Sequence, residues 1–113
     1  MVKSLNDFEL SVLERISNEY PFLKSHLPIL SVERRDFTGV GLFVNFSYQD
    51  SSVGYQKIPS NYIALSSNAS LLIEGLKNEV AYEVVVTDGK IDFLEIVSNG
   101  EDWDGTIRAF HFE

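Results

Sequence analysis

The sequence predicts an α+β fold, with N-terminal helices packed on one face of a mostly antiparallel β-sheet of about five or six strands. Three observations carry this. Apolar residues in the first 27 positions recur at helical spacing. The rest of the chain is a run of short apolar or alternating stretches separated by turn signals. The clearest of those signals is Asp88-Gly89, between "VAYEVVVT" and "KIDFLEIVS". Asp-Gly readily supplies the two positive-φ residues of a tight hairpin turn. Helices first and strands afterwards, joined by short turns, give segregated α and β layers.

Residues 4–20 place Leu5, Phe8, Val12, Leu13 and Ile16 on one helical face. Ser4, with Asp7 three residues on, is the expected cap. Pro21 disfavours helical geometry at Tyr20 and can open a second short helix, "PFLKSHL", which Pro28 should end. "VERRDFT" (32–38) and "GLFVNFSY" (41–48) read as a hairpin around Gly39-Val40, with Leu42, Val44, Phe46 and Tyr48 on one face. "SYQDSSVGYQ" is a turn-rich excursion, and "YIALS" and "SLLIEGL" are shorter strands. A two-residue turn at Asp88-Gly89 sets Thr87 opposite Lys90. That register puts Val86 against Ile91, Val84 against Phe93, Tyr82 against Glu95 and Val80 against Val97. "TIRAFHF" supplies a last strand.

A chain of 113 residues is one domain, 1–113, and buries roughly 65% of its unfolded surface, enough for a core without staples. It has no cysteine, which excludes disulfides, thiolate metal sites and cysteine nucleophiles, and fits a cytoplasmic protein. No apolar run is long enough to span a membrane, and the N-terminal stretch does not read as a secretory signal. The net charge of −8 is uneven. Residues 1–40 hold 5 basic and 6 acidic side chains, whereas residues 41–113 hold 4 and 11. Such a chain offers little to phosphate backbones or anionic lipid, so nucleic acid and membrane are not the expected partners. Opposite fields speed encounter, so a basic protein is the favoured one.

No motif identifies a reaction. His26 lies in an apolar run and His111 on the last strand, and both read as structural, surface or half-buried histidines. "DGKID" and "EDWDG" lack the ligand series of a calcium loop, and "TGVG" lacks the spacing of a phosphate-binding fingerprint. No cofactor is expected. Two places stand out. Glu95 falls on an apolar face opposite Tyr82. It needs a partner there, for which the Tyr82 hydroxyl, Arg34 and Arg35 are candidates, or else it lines a pocket with Tyr82. "SNGEDWDG" (98–105) sets Glu101, Asp102 and Asp104 around Trp103, the chain's only Trp. Trp103 is either a buried plug for the loop or an exposed anchor whose acidic neighbours meet a basic partner.

Two stretches carry a resemblance. "RRDFTGVGLFVNF" (34–46) resembles an R-x-x-T-G-V-G-F-F hairpin. "VAYEVVVTDGKIDFLEIVSNGEDWDG" (80–105) resembles a G-x-x-F-x-L-F-V-x-D-G-x-L-x-x-L-E-G-Y-x-Y-G-x-x-W-P segment. Both of these patterns occur in a family of small bacterial proteins of similar length, which this chain resembles. On this match Thr38, Gly39, Gly41, Asp88, Gly89, Glu95, Gly100 and Trp103 occupy the motif positions. Val97-Ser98 replaces the family's aromatic pattern, and Asp104 stands where the family has Pro. Relatives of this type look like proteins found near bacterial toxin systems, where small acidic α+β proteins serve as immunity proteins. The resemblance therefore implies binding, not catalysis: an immunity-type inhibitor that covers a basic surface of a cognate toxin, with Glu101, Asp102, Trp103 and Asp104 in the contact. The alternative is a small-ligand-binding domain or enzyme whose pocket Tyr82 and Glu95 would line.

Overall fold

Asn6, not Ser4, caps the first helix. A computed structural model describes residues 3–49 and 54–113, and in it α1 spans Asp7–Glu19. Glu9 N–H donates to Asn6 Oδ1 at 2.8 Å, and Asn6 N–H donates to Glu9 Oε1 at 2.9 Å. Ser4/Asp7 and Asn6/Glu9 both have capping-box spacing. The second pair wins because Arg35 holds the Glu9 carboxylate, donating from Nε at 2.6 Å and from Nη2 at 2.9 Å. Arg35 Nη2 also donates to Ser4 O at 3.3 Å, which draws Ser4 into the lead-in to the helix.

After α1, Pro21 opens a 3-10 helix, η1 (Pro21–Ile29). Pro28 was expected to end it but lies inside it, because the hydrogen bond from Leu30 N–H to Leu27 O closes over the proline. β1 (Leu30–Phe37) and β2 (Gly41–Tyr48) form the expected hairpin. β3 (Tyr62–Leu65), β4 (Leu71–Ile73), β5 (Ala81–Thr87), β6 (Lys90–Val97) and β7 (Phe110–Phe112) follow. Of the turn-rich excursion, residues 50–53 lie outside the described residues.

Five strands make one sheet in the order β1-β2-β6-β5-β3, with each neighbour antiparallel. The last strand does not join it: β7 pairs with β4 as a separate two-stranded ribbon. The architecture is therefore the α+β fold expected from the sequence. α1, η1 and the ribbon cover one face of the sheet. Phe8, Val12, Leu13, Ile16, Leu23, Leu71 and Ile73 pack there against Leu42, Val44, Phe46, Val84, Leu94 and Ile96. Tyr82 meets Phe112 edge-on at 5.9 Å, and Phe8 meets Phe110 at 5.0 Å.

The β5–β6 register departs from the simple turn-based one. Thr87 faces Lys90 and Val86 faces Ile91 as expected, but a bulge then leaves Asp92 unpaired. Beyond it Val85 faces Phe93, Val84 faces Leu94, Glu83 faces Glu95, Tyr82 faces Ile96 and Ala81 faces Val97. Because side chains alternate along a strand, one extra residue exchanges the two faces. Without the bulge, Phe93 and Glu95 would enter the core and Leu94 and Ile96 would leave it. With it, Leu94 and Ile96 are fully buried and Glu95 points outward. Burying two aliphatic side chains in place of a carboxylate decides the register.

Candidate functional site

The bulge separates Tyr82 from Glu95. Tyr82 faces the core, where its hydroxyl bonds Ser67 Oγ and donates to Ala69 O at 2.6 Å. Glu95 lies on the opposite face. Both residues border one shallow depression, together with Ala81, Glu83 and Val97. The three partners expected for Glu95 are committed elsewhere: Tyr82 as above, Arg35 to Glu9, and Arg34 to Asp36 and Glu33. What faces Glu95 is Glu83, directly across the strand pair. Among the described residues no salt bridge reaches either carboxylate. Burial, and then the neighbouring Glu83, raise the Glu95 carboxyl above its ordinary value.

These two acids sit within an apolar surface. Phe43 is the neighbour of Glu95 on β2, and its ring meets Phe93 at 5.7 Å. Val85 pairs with Phe93 and is 2% exposed although it faces away from the main core. Ala81 and Val97 close one end, and Tyr62, 68% exposed, lies towards the other on the edge strand β3. Asp36 gives a contrast on the same face. It receives hydrogen bonds from Arg34 Nε at 2.9 Å and Asn45 Nδ2 at 3.1 Å. Among the described residues a cation thus meets the acid at the sheet edge and none meets the two at its centre. The core cluster that α1, η1 and the ribbon complete lies on the other face of the sheet, and Phe43, Glu83, Phe93, Glu95 and Val97 remain partly exposed on this one.

The 98–105 loop resolves the two roles open to Trp103. The indole is 7% exposed and belongs to the core, so it plugs the loop. Its Nε1–H donates to Thr106 O at 3.1 Å, and its backbone N–H donates to Gly39 O at 2.9 Å. Gly100 and Gly105, both at positive φ, turn the chain on either side. Gly105 admits no side chain, because a Cβ there would enter the ring of Phe37. Two of the three acids serve the backbone. Glu101 accepts from Lys77 N–H at 2.8 Å and Asn78 N–H at 3.0 Å, and these bonds hold its carboxyl below the usual range. Asp104 accepts from Thr106 N–H at 2.8 Å, with the same effect. Asp102 is exposed. Asp102, Trp103 and Asp104 line a groove shared with Glu74 and Arg108.

His26, expected to be at most half-buried, is fully enclosed. Its Nε2 lies 2.7 Å from Gln56 O and its Nδ1 lies 2.7 Å from the Tyr48 hydroxyl, which accepts from Ile91 N–H at 2.7 Å. A carbonyl can only accept, so Nε2 carries the proton and Tyr48 donates to Nδ1. Every polar atom is then satisfied by a neutral ring. His111 is exposed beside Glu113 at 3.3 Å. No helix is long and apolar enough to cross a membrane. No known protein family, curated protein or solved structure matches the chain.

Proposed function

We propose that this chain is a non-catalytic, acidic protein-binding module and that its contact surface is the uncovered face of the five-stranded sheet. The observation that carries this reading is the patch of half-buried Phe43, Phe93 and Val97 on that face, around two carboxylates that no salt bridge reaches among the described residues. Contiguous apolar surface rimmed by polar groups marks interaction sites, and aromatic side chains supply much of the energy there. The net charge of −8 favours a basic partner. An immunity-type inhibitor lying over a basic surface of a bacterial toxin, in the cytoplasm, is the particular form that the resemblance implies. The 98–105 loop then contributes field more than contact, because its indole is turned inward and two of its acids hold the backbone.

The test compares three immobilised proteins in affinity capture from a lysate of the native host, eluted by stepped salt. They are the wild type, a face variant (Phe43→Thr with Phe93→Thr) and a loop variant (Asp102→Asn with Asp104→Asn). Thr keeps strand propensity at both face positions. A basic protein held by the wild type and the loop variant and lost by the face variant supports the reading. Retention by the face variant and loss by the loop variant would move the contact to the loop.

A further inference from the structure

We propose that the partner of this face inserts a guanidinium between Glu83 and Glu95, flanked on the partner by apolar side chains that lie on Phe43, Phe93 and Val97. This rests on the reading of the sheet face as a docking surface and specifies what occupies its centre.

Side chains directly opposite on antiparallel strands have Cβ atoms about 5 Å apart, and like charges so placed repel. Glu83 and Glu95 are such a pair. Both are only partly exposed, and the neighbours of Glu95 are Phe43 on β2 and, two residues away along β6, the outward-facing Phe93. An apolar frame excludes water and strengthens whatever electrostatic contact forms inside it. A cation between the two acids would turn a repulsive pair into a bridged one. Guanidinium suits the place better than ammonium. It is planar, it offers paired N–H donors to carboxylates on both sides, and it stacks on aromatic faces. The Phe43–Phe93 pair supplies such faces next to the acids. Within the fold, the buried Glu9 is met in this way by Arg35, with two hydrogen bonds from one guanidinium.

The same geometry argues against a second copy as the occupant. Glu95 lies on β6, the central strand of the five. A two-fold axis through the middle of this face brings Glu95 towards its own symmetry mate, which adds repulsion at neutral pH.

The test is an amide NMR titration of the intact protein with n-butylguanidinium, and in parallel with n-butylurea, its uncharged counterpart. The expected result is a set of shifts confined to Ala81, Glu83, Glu95, Val97 and the adjacent Phe43 and Phe93 with butylguanidinium, and none with butylurea. In Glu83→Gln and in Glu95→Gln the apparent affinity should fall roughly tenfold. Both variants remove repulsion, so folding is not at risk. Equal shifts with butylurea, shifts spread over the other surface acids and unchanged in the two variants, or no shifts at all would overturn the guanidinium site. So would concentration-dependent dimerisation through this face at neutral pH. If the guanidinium site fails while Phe43→Thr with Phe93→Thr still loses a captured protein, the face docks a partner of different chemistry. If both fail, the reading of the face goes with it.

Discussion

Glu83 and Glu95 stand directly opposite each other on β5 and β6, among aromatic and aliphatic side chains, with no cation of the described chain bridging them. A fold selected for stability alone gains nothing from that pairing. The arrangement becomes favourable only when something positive arrives.

Glu95→Gln should therefore stabilise the free protein, by about 0.5 kcal/mol on the scale of cross-strand pairs. The sign with pH follows from the raised carboxyl. A folded-state value above the unfolded one gives a contribution that is present at low pH and is lost as pH rises through the folded value. The gain from Glu95→Gln should accordingly appear at neutral pH and vanish near pH 4. Urea unfolding of both proteins at the two pH values measures it.

Arg35 holds a different acid. The Glu9 side chain is 1% exposed and takes two hydrogen bonds from the guanidinium. Arg35→Met should cost about 3 kcal/mol, because it leaves a buried carboxylate with only the Asn6 N–H. Glu9→Gln in the same background should recover part of that loss, since an amide is easier to bury than a charge. A double-mutant cycle by denaturant unfolding reads both outcomes.

His26 should make the fold acid-sensitive. Burial lowers its pKa below the ordinary 6.5, against a smaller raising effect of the hydrogen bond to Gln56. Its stabilising contribution is complete above the unfolded value and is lost as pH falls from there through the folded value. Tyr48, whose own hydroxyl is pushed up to about 12 by burial, remains the donor throughout this range. Tyr48→Phe should cost about 1–3 kcal/mol, because it orphans Ile91 N–H and the Nδ1 lone pair. The acid dependence should persist in that variant, since burial of the ring still opposes a second proton. Melting curves across pH 4–8 separate the two effects.

Trp103 reports on its own burial. Its emission should be that of an apolar site and resist iodide quenching until the protein unfolds. Trp103→Ala should cost about 3 kcal/mol as a large core truncation. Neutralising Asp102 should leave stability within about 0.5 kcal/mol, as surface changes usually do.

The helices, both hairpins and the antiparallel character were legible from periodicity and from Asp88-Gly89, because burial of alternate residues and turn chemistry act locally. The bulge at Asp92 was not, since no glycine or turn dipeptide marks it. A signal was nonetheless present: the unbulged register turns Glu95 inward and Leu94 and Ile96 outward, and that conflict is what the extra residue removes. The pairing of β7 with β4 instead of the main sheet, and the clasp of His26 by Tyr48 and Gln56, join residues far apart in sequence and leave no local trace. The acids around Trp103 invited an interface reading. The hydrogen bonds of Glu101 to Lys77 N–H and Asn78 N–H depend on tertiary placement that spacing does not encode, whereas the bond of Asp104 to Thr106 N–H, two residues on, is local.

The most direct test of the sheet face as a charged docking surface is the amount of captured basic protein retained by Glu95→Gln relative to wild type, at one fixed salt concentration. A loss of roughly tenfold is expected, the scale of a charge-assisted contact, from a variant at least as stable as the parent. Undiminished capture by that variant would contradict it.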